Sequence, residues 1–222
     1  MIIATSLSPK HSNAANQQSA VDSWQQFGEC VSFNTESERT EVSHIKGIDI
    51  VVTHKTVNGI IGKKLININA MIDYAISMND DLMLINSDII LSSLPGFNGS
   101  GITMLSRHDY TSTFDDGKMF AAGFDVFYIP KRHLHILPPS IYAMGVAWWD
   151  YWIPYQAIKA KVPVFWPQGK YAYHKLHHTQ YSHDEWLYIG EYFRWQFKLG
   201  KHFNIGQIAA KALSFIQSNT IR

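Results

Sequence analysis

The chain has 222 residues, 46% of them apolar and only 17% charged, so it is long enough for one large α/β domain and too apolar to be disordered throughout. Its 19 basic and 18 acidic residues give a net charge of +1, which argues against a nucleic-acid-binding surface and a polybasic membrane patch. The single cysteine, Cys30, excludes an internal disulfide and a cysteine-rich zinc site. The 11 His, 7 Trp and 11 Tyr favour a site for a flat or sugar-like ligand, with an aromatic core as the alternative.

The first half of the chain alternates short apolar runs with helical periodicity. Residues 2–7 predict a first strand, and residues 17–27 predict a helix that ends before Gly28. Further strands are predicted at residues 30–34, 48–53 and 81–86, with a helix at residues 65–78. Strands that are apolar throughout and alternate with helices indicate a parallel sheet covered on both faces. We therefore expect a doubly wound α/β half over residues 1–95.

The second half is less regular. Residues 101–105 and 124–129 predict two later strands, residues 138–166 are rich in Trp, Tyr and Pro, and residues 185–217 return to helical spacing. The aromatic stretch indicates another layer rather than a new domain. No run reaches the ~18 apolar residues of a membrane span, and residues 1–5 lack a signal-peptide pattern. The expectation is a cytoplasmic protein with no membrane span and no nucleic-acid partner.

Asn86, Ser87 and Asp88 follow the predicted strand at residues 81–86. Ligands of open parallel sheets bind beyond the carboxyl ends of the strands, which is where Asp88 is expected to lie. A carboxylate there suits Mn²⁺ or Mg²⁺, which in turn binds diphosphate oxygens. The alternative is a plain turn, because all three residues favour turns.

Together with later motifs, this segment resembles the GT-A-fold nucleotide-sugar glycosyltransferases. In that family the fourth strand ends in an Asp-x-Asp motif that holds a metal under the donor diphosphate, and here Asn86-Ser87-Asp88 fills that place. A bacterial and viral branch with Asn-Ser-Asp also carries a Gly-x-Asp-x-Phe strand, a Trp-Asp pair and a late His-x-x-His. The matching segments here are residues 123–127, 149–150 and 174–177.

The resemblance implies a single GT-A-like (Rossmann-like) α/β domain with a mostly parallel sheet flanked by helices. Residues 1–95 would form the nucleotide-binding half, residues 96–187 the acceptor and metal half, and residues 188–222 the C-terminal helices. The implied activity is sugar transfer from a UDP- or GDP-type donor to a saccharide or other hydroxyl acceptor. The implied cofactor is Mn²⁺ or Mg²⁺. Base, sugar, acceptor, stereochemistry and oligomeric state stay open.

A histidine pair near the end of the aromatic region is the second candidate metal element. His174 and His177 are spaced so that, on a helix or a turn, both imidazoles face one ion. The resemblance implies that a late histidine completes the metal site. We favour His174 and keep His177 as the other candidate, with solvated loop histidines as the alternative.

Asp150 is the candidate catalytic base, because an inverting transferase needs a carboxylate to take the acceptor hydroxyl proton. Neighbouring Trp149 is expected to offer an apolar face to a sugar ring. The alternatives are that these tryptophans belong to the core and that Asp150 caps a helix beginning at Tyr151.

Polar residues at other strand ends are expected to bind the donor. Arg107 and Asp125 are placed after sheet strands and are expected at the sugar or diphosphate. The alternative is an ion pair of Arg107 with Asp109 or Asp125 that shapes the rim. By resemblance Thr5, Ser6 and Asn34 bind the nucleoside, with ordinary strand-end hydrogen bonding as the alternative.

Other functions have weaker support. A nucleotidyltransferase or a dinucleotide oxidoreductase needs a glycine-rich turn after the first strand, and residues 5–26 contain no glycine. A zinc hydrolase lacks an obvious set of three ligands. A binding module that has lost catalysis remains open, because Asn86 replaces the first acidic residue of the motif.

Overall fold

The structure is a computed structural model, and it describes residues 1–9, 14–57, 64–97, 99–177 and 182–222. The described strands are β1 (Ile2–Thr5), β2 (Glu29–Asn34), β3 (Asp49–Val52), β4 (Leu82–Ile85), β5 (Ile89–Leu91), β6 (Ile102–Leu105), β7 (Arg107–Tyr110), β8 (Lys118–Met119), β9 (Val126–Ile129), β10 (Val164–Phe165) and β11 (Ala172–Lys175). The helices are α1 (Ala14–Trp24), α2 (Glu36–Val42), α3 (Ile68–Met78), α4 (Trp149–Lys159), α5 (His183–Gln196) and α6 (Ile205–Ser218), with 3₁₀ turns at Phe114–Asp116 and Lys131–Ile136.

Seven strands form the central sheet in the order β10-β6-β9-β4-β1-β2-β3. Neighbouring strands are parallel except at β9, which runs antiparallel to both β4 and β6. The predicted mixed α/β fold with a mostly parallel sheet flanked by helices is confirmed. Strand direction does not follow from apolar composition, so the reversal at β9 was not predicted.

Both faces of the central sheet are buried, which explains why its strands are apolar throughout. In β4, Leu82 and Leu84 belong to one hydrophobic core, while Met83 and Ile85 belong to the other. The first core includes residues of α3, α4, α5 and α6, and the second contains the buried apolar residues of α1, which are Ala20, Val21 and Trp24. The alternation of side chains along a strand distributes the residues between the two cores.

The predicted helices are present with shifted ends. The helix expected at residues 65–78 begins at Ile68, because the Asn67 side chain accepts a hydrogen bond from the Asn69 backbone N–H and caps it. It ends at Asn79, whose left-handed backbone, at φ 51°, closes the last turn. No helix in the described part of the chain is both long and apolar enough to cross a lipid bilayer.

A second sheet of four strands, β5-β11-β7-β8, was not predicted and carries most of the candidate site. Strand β11 pairs antiparallel with β5 and parallel with β7. It therefore brings together segments that lie near residues 90, 108 and 173 of the chain. The Trp24 indole N–H of α1 donates a hydrogen bond to the carbonyl of Ile89 at 2.8 Å. This bond anchors the first residue of β5, which directly follows Asp88 in the chain.

Candidate functional site

The candidate metal triad consists of Asp88, His174 and His177, whose ligand atoms all lie within 4.8 Å of one another. Asp88 Oδ2 is 3.0 Å from His177 Nε2 and 3.4 Å from His174 Nε2, and the two Nε2 atoms are 3.2 Å apart. The structure thus brings together both histidines between which the sequence left the choice open. It also supplies a set of three candidate ligands, which was not apparent from the sequence.

The histidines do not lie on the helix or turn that their spacing indicated. His174 lies on strand β11 rather than on a helix or turn, and His177 follows in the next loop. His174 is the partner of Ile89 in the antiparallel β5·β11 pair, and Ile89 directly follows Asp88. The pairing therefore places His174 beside Asp88. The strand pairing, rather than helical spacing, brings the ligands together.

Burial alone would lower the pKa of His174, but the hydrogen bond and charge of Asp88, helped by Asp109, outweigh it and raise that pKa. The ring is 3% exposed, so its charge is stabilised by these carboxylates rather than by water. A metal ion needs the neutral imidazole, and proton and ion therefore compete for the same nitrogen.

A second group of charged residues adjoins the triad. Arg107 Nε donates to Asp109 Oδ1 at 2.8 Å, and a terminal guanidinium nitrogen of Arg107 donates to Asp125 Oδ1 at 3.0 Å. The guanidinium carbon also lies 4.3 Å from the centre of the Phe120 ring. Burial opposes the charge of Arg107, but the carboxylates of Asp125 and Asp109 raise its pKa. The rim ion pair given as the alternative for Arg107 and Asp125 is therefore present.

Arg107 follows strand β6, as expected, and is also the first residue of β7. The position of Asp125 differs from expectation, because it immediately precedes β9 and does not follow a strand. Since β9 is antiparallel, its beginning lies at the same edge as the end of β4. Asp125 reaches the predicted edge for this reason.

Asn86 donates from Nδ2 to Asp125 Oδ1 at 2.8 Å. The other oxygen of Asp125, Oδ2, is buried and has no hydrogen-bond partner among the described residues. An aspartate at position 86 would set two carboxylates against each other, which gives a physical reason for the asparagine. Ser87 is occupied as well, because its hydroxyl is hydrogen-bonded to the Gln17 amide at 2.9 Å.

Asp150 lies in the first turn of α4, where the helix dipole favours a negative charge. Burial, with the nearby charge of Asp125, raises the pKa of Asp150 to about 7, although backbone N–H groups that include that of Phe124 act in the opposite direction. A β-carbon added to Gly123 would lie 2.9 Å from Asp150 Oδ2, so the glycine permits this close approach. A carboxylate with a pKa near neutrality suits proton transfer.

The tryptophans around Asp150 belong to the core. Trp148, Trp149 and Trp152 are between 0% and 3% exposed, and the Trp149 ring contacts Phe127 at 5.4 Å between centroids. The helix starts at Trp149 after Trp148, whose backbone is left-handed at φ 78°, a rare conformation for a large side chain. The alternative interpretation, in which these tryptophans are core residues, is therefore the one that the structure supports.

The residues expected at the nucleoside lie at the ends of β1 and β2. Thr5 and Asn34 are fully buried, and Ser6 is partly buried. The Asn34 amide donates to the carbonyl of Leu7 and accepts from Ser32, as the alternative of strand-end hydrogen bonding describes. A cavity of about 330 Å³ opens beyond β2 and β3, with seven lining residues: Thr35, Glu36, Ser37, Thr53, His54, Thr56 and Lys64.

Sequence reasoning treated Asp109 only as an ion-pair partner of Arg107 and did not identify Phe120. Asp109 Oδ1 also lies 2.9 Å from His174 Nδ1. The signal available in the sequence was the alternation of Arg107 and Asp109, which places both side chains on one face of a strand.

No protein-family model matches the chain, and no curated protein matches it. Among solved structures, it is similar to the galactosyltransferase LgtC in complex with donor and acceptor sugar analogues, with 13% identity, a TM-score of 0.32, and 60% of each chain covered. It is also similar to the glycosyltransferase GlyE of Streptococcus pneumoniae TIGR4, with 12% identity, a TM-score of 0.30, and coverage of 99% of this chain and 65% of that one. The match spans less than two thirds of either structure, and the function proposed below rests on the chain's own residues.

Proposed function

We propose that the protein is a glycosyltransferase that moves a sugar from a UDP- or GDP-type donor to a saccharide or other hydroxyl acceptor with the help of Mn²⁺ or Mg²⁺. The observation that carries this proposal is the convergence of Asp88, His174 and His177 beyond the carboxyl end of β4. In an open, mostly parallel sheet, this edge is the usual ligand-binding position.

The donor set fits a divalent cation. One carboxylate oxygen and two imidazole nitrogens converge, and coordination places remain for oxygens of the substrate. The carboxylates of Asp109, Asp125 and Asp150 add negative charge that Arg107 balances only in part. A divalent ion bound there supplies electrostatic stabilisation for the charge that develops on the leaving diphosphate.

Asp150 is proposed as the general base of an inverting reaction. As the acceptor oxygen forms its bond to the anomeric carbon, the bond from that carbon to the diphosphate oxygen breaks, and the leaving group keeps the electron pair. The acceptor hydroxyl proton passes to the Asp150 carboxylate. A pKa of about 7 allows this carboxylate to accept a proton near neutrality and release it afterwards. In a retaining reaction, Asp150 would instead bind the acceptor.

Donor binding is assigned to the surrounding edge of the sheet. The cavity beyond β2 and β3 is proposed for the nucleoside. Thr5, Ser6 and Asn34 do not line this cavity, and for them a nucleoside contact rests on the resemblance alone. Asn86, Ser87, Arg107 and Asp125 stay candidates for positioning the sugar or the diphosphate. We propose no direct sugar contact for Trp149, because it is buried in the core. For Arg107 and Asp125 this role is indirect, because each is already bonded to the other.

The same triad gives a second candidate function, a zinc hydrolase, because two histidines and a carboxylate also form a catalytic zinc set. The two functions differ in their dependence on nucleotide. A zinc hydrolase retains its metal stoichiometrically without nucleotide, whereas the transferase binds Mn²⁺ or Mg²⁺ exchangeably and holds the ion more tightly once the donor diphosphate supplies further ligands.

The test is a thermal-shift panel of UDP, GDP and CDP with Mn²⁺, with Mg²⁺, with Zn²⁺ and with EDTA, followed by donor-turnover assays on the nucleotide that binds. We expect one nucleotide to raise the melting temperature only with Mn²⁺ or Mg²⁺, because ligand binding stabilises the folded state. Stabilisation by Zn²⁺ alone would favour the hydrolase. Nucleotide binding that ignores EDTA, without turnover, would favour an inactive binding module.

A further inference from the structure

Both ring nitrogens of His174 have partners, and the two partners differ. Nε2 faces Asp88 and His177 in the triad, while Nδ1 lies 2.9 Å from Asp109 Oδ1. His174 and Asp109 are direct partners in the parallel β11·β7 pair. Backbone pairing therefore holds the carboxylate beside the imidazole, on the side away from the other ligands.

Asp109 is itself held in place. Arg107, two residues earlier on β7, lies on the same face of the strand and donates to the same Asp109 oxygen at 2.8 Å. The Arg107 guanidinium is fixed by Asp125 at 3.0 Å and by the Phe120 ring. A carboxylate with such neighbours has few alternative positions, so it can hold a histidine ring in one orientation.

We infer that Asp109 is a positioning residue: it accepts the Nδ1–H of His174, keeps that proton on Nδ1, and so leaves the Nε2 lone pair directed at the ion. This inference rests on the proposed metal site. Metal-bound histidines generally donate their other N–H to a carboxylate or carbonyl, which fixes the tautomer and makes the ligating nitrogen more basic. Asp109 does not contact the ion in this account.

A purely structural Asp109 is the competing explanation. In that case, the residue would hold β7 against β11 through Arg107 and His174, and its loss would lower thermal stability alone. The positioning role additionally requires an effect on metal affinity and on the His174 tautomer. These two readouts separate the explanations.

The experiment uses the full chain and Mn²⁺ alone, titrated by electron paramagnetic resonance. We expect Asp109→Asn to weaken Mn²⁺ binding by about 10- to 100-fold, because a neutral amide orients and polarises the ring less than a carboxylate. Asp109→Glu, which keeps the charge, should recover part of the affinity. Asp115→Asn is the matched control, since it removes an exposed carboxylate from the neighbouring turn and should leave the affinity unchanged.

The tautomer is measured in the wild type, so the test does not depend on a folded variant. Nitrogen NMR of the Mg²⁺-loaded protein should show His174 protonated at Nδ1. Protonation at Nε2, or unchanged Mn²⁺ affinity in Asp109→Asn, would overturn the positioning role while leaving the metal site intact. Absence of Mn²⁺ binding in the wild type would overturn the metal site and the positioning role together.

Discussion

The two sheets of this protein are built on different principles. The central sheet buries apolar side chains on both faces, and its β1 and β4 residues are at most 1% exposed. The four-stranded sheet places Arg107, Asp109 and His174 on one face, where they bond to one another. The first sheet is stabilised mainly by apolar burial, and the second assembles charges that burial alone would oppose. The comparison predicts that polar substitutions in the small sheet change chemistry more than folding.

The largest expected effect tests that contrast directly. Asp88→Ala should abolish measurable Mn²⁺ binding and lower donor turnover by at least about 100-fold, because it removes the carboxylate of the triad. Its melting temperature should change little, since the Asp88 side chain is 18% exposed and belongs to neither hydrophobic core. Activity is measured with the donor identified by thermal shift, and Asp115→Asn is the control. Near-normal turnover with bound Mn²⁺ would contradict the assignment.

Arg107→Leu examines the part of the small sheet that does affect folding. The substitution leaves Asp109 and the buried Asp125 without their shared cation, and removing one partner of a buried ion pair costs about 3 to 5 kcal/mol. Because Arg107 keeps some exposure, we expect a smaller loss than this, about 2 to 3 kcal/mol, by urea unfolding. Arg132→Leu, at an exposed arginine, is the comparison. An equal, small loss in both variants would show that the ion pairs contribute nothing.

Asn86→Asp tests the reason given for the asparagine at the end of β4. The change replaces an amide donor with a carboxylate next to Asp125, so we expect a loss of about 1 to 2 kcal/mol above pH 6. Protonation should restore part of the stability in acid. Urea unfolding at pH 5 and pH 8 measures the difference. A variant as stable as the wild type at pH 8 would remove this explanation.

Asp150→Asn should stabilise the folded protein, and the size of the gain depends on pH. Because the folded-state pKa of about 7 lies above the ordinary carboxyl value, the folded state keeps the proton up to a higher pH than the unfolded chain does. The contribution of Asp150 to the free energy of unfolding of the wild type is therefore present in acid and is lost as the pH rises from about 4 to about 7. The asparagine variant should gain about 1 to 3 kcal/mol over the wild type across that range.

Urea unfolding at several pH values measures this gain, and donor turnover in the same variant should fall by about 100-fold or more. A stability difference that does not vary with pH would contradict the shifted pKa. Full turnover would remove Asp150 as the base.

The central sheet was predictable because a buried parallel strand must be apolar on both sides, which leaves a local signal in runs such as residues 82–85. The position of Asp88 was predictable for a related reason, since it follows the carboxyl end of such a strand, where ligands of open parallel sheets usually bind. The chain direction of β9 leaves no comparable local signal, and its antiparallel pairing with β4 was missed.

The arrangement of the triad depends on pairings between distant segments, which a single sequence does not specify. Asp88 and His174 meet because β5 pairs with β11, and Asp109 reaches His174 because β11 pairs with β7. Spacing identified both histidines, but it indicated a helix or a turn instead of a strand. The contact between Asp109 and His174 follows from this strand register, which a single sequence does not give.

The most direct measurement of the central claim is the anomalous scattering of a crystal of the protein soaked with Mn²⁺ and the nucleotide diphosphate that stabilises it. The account predicts one manganese peak bound by the Asp88 carboxylate and by Nε2 of His174 and His177, with diphosphate oxygens completing the coordination. A manganese ion bound elsewhere, or a diphosphate bound away from the end of β4, would contradict it.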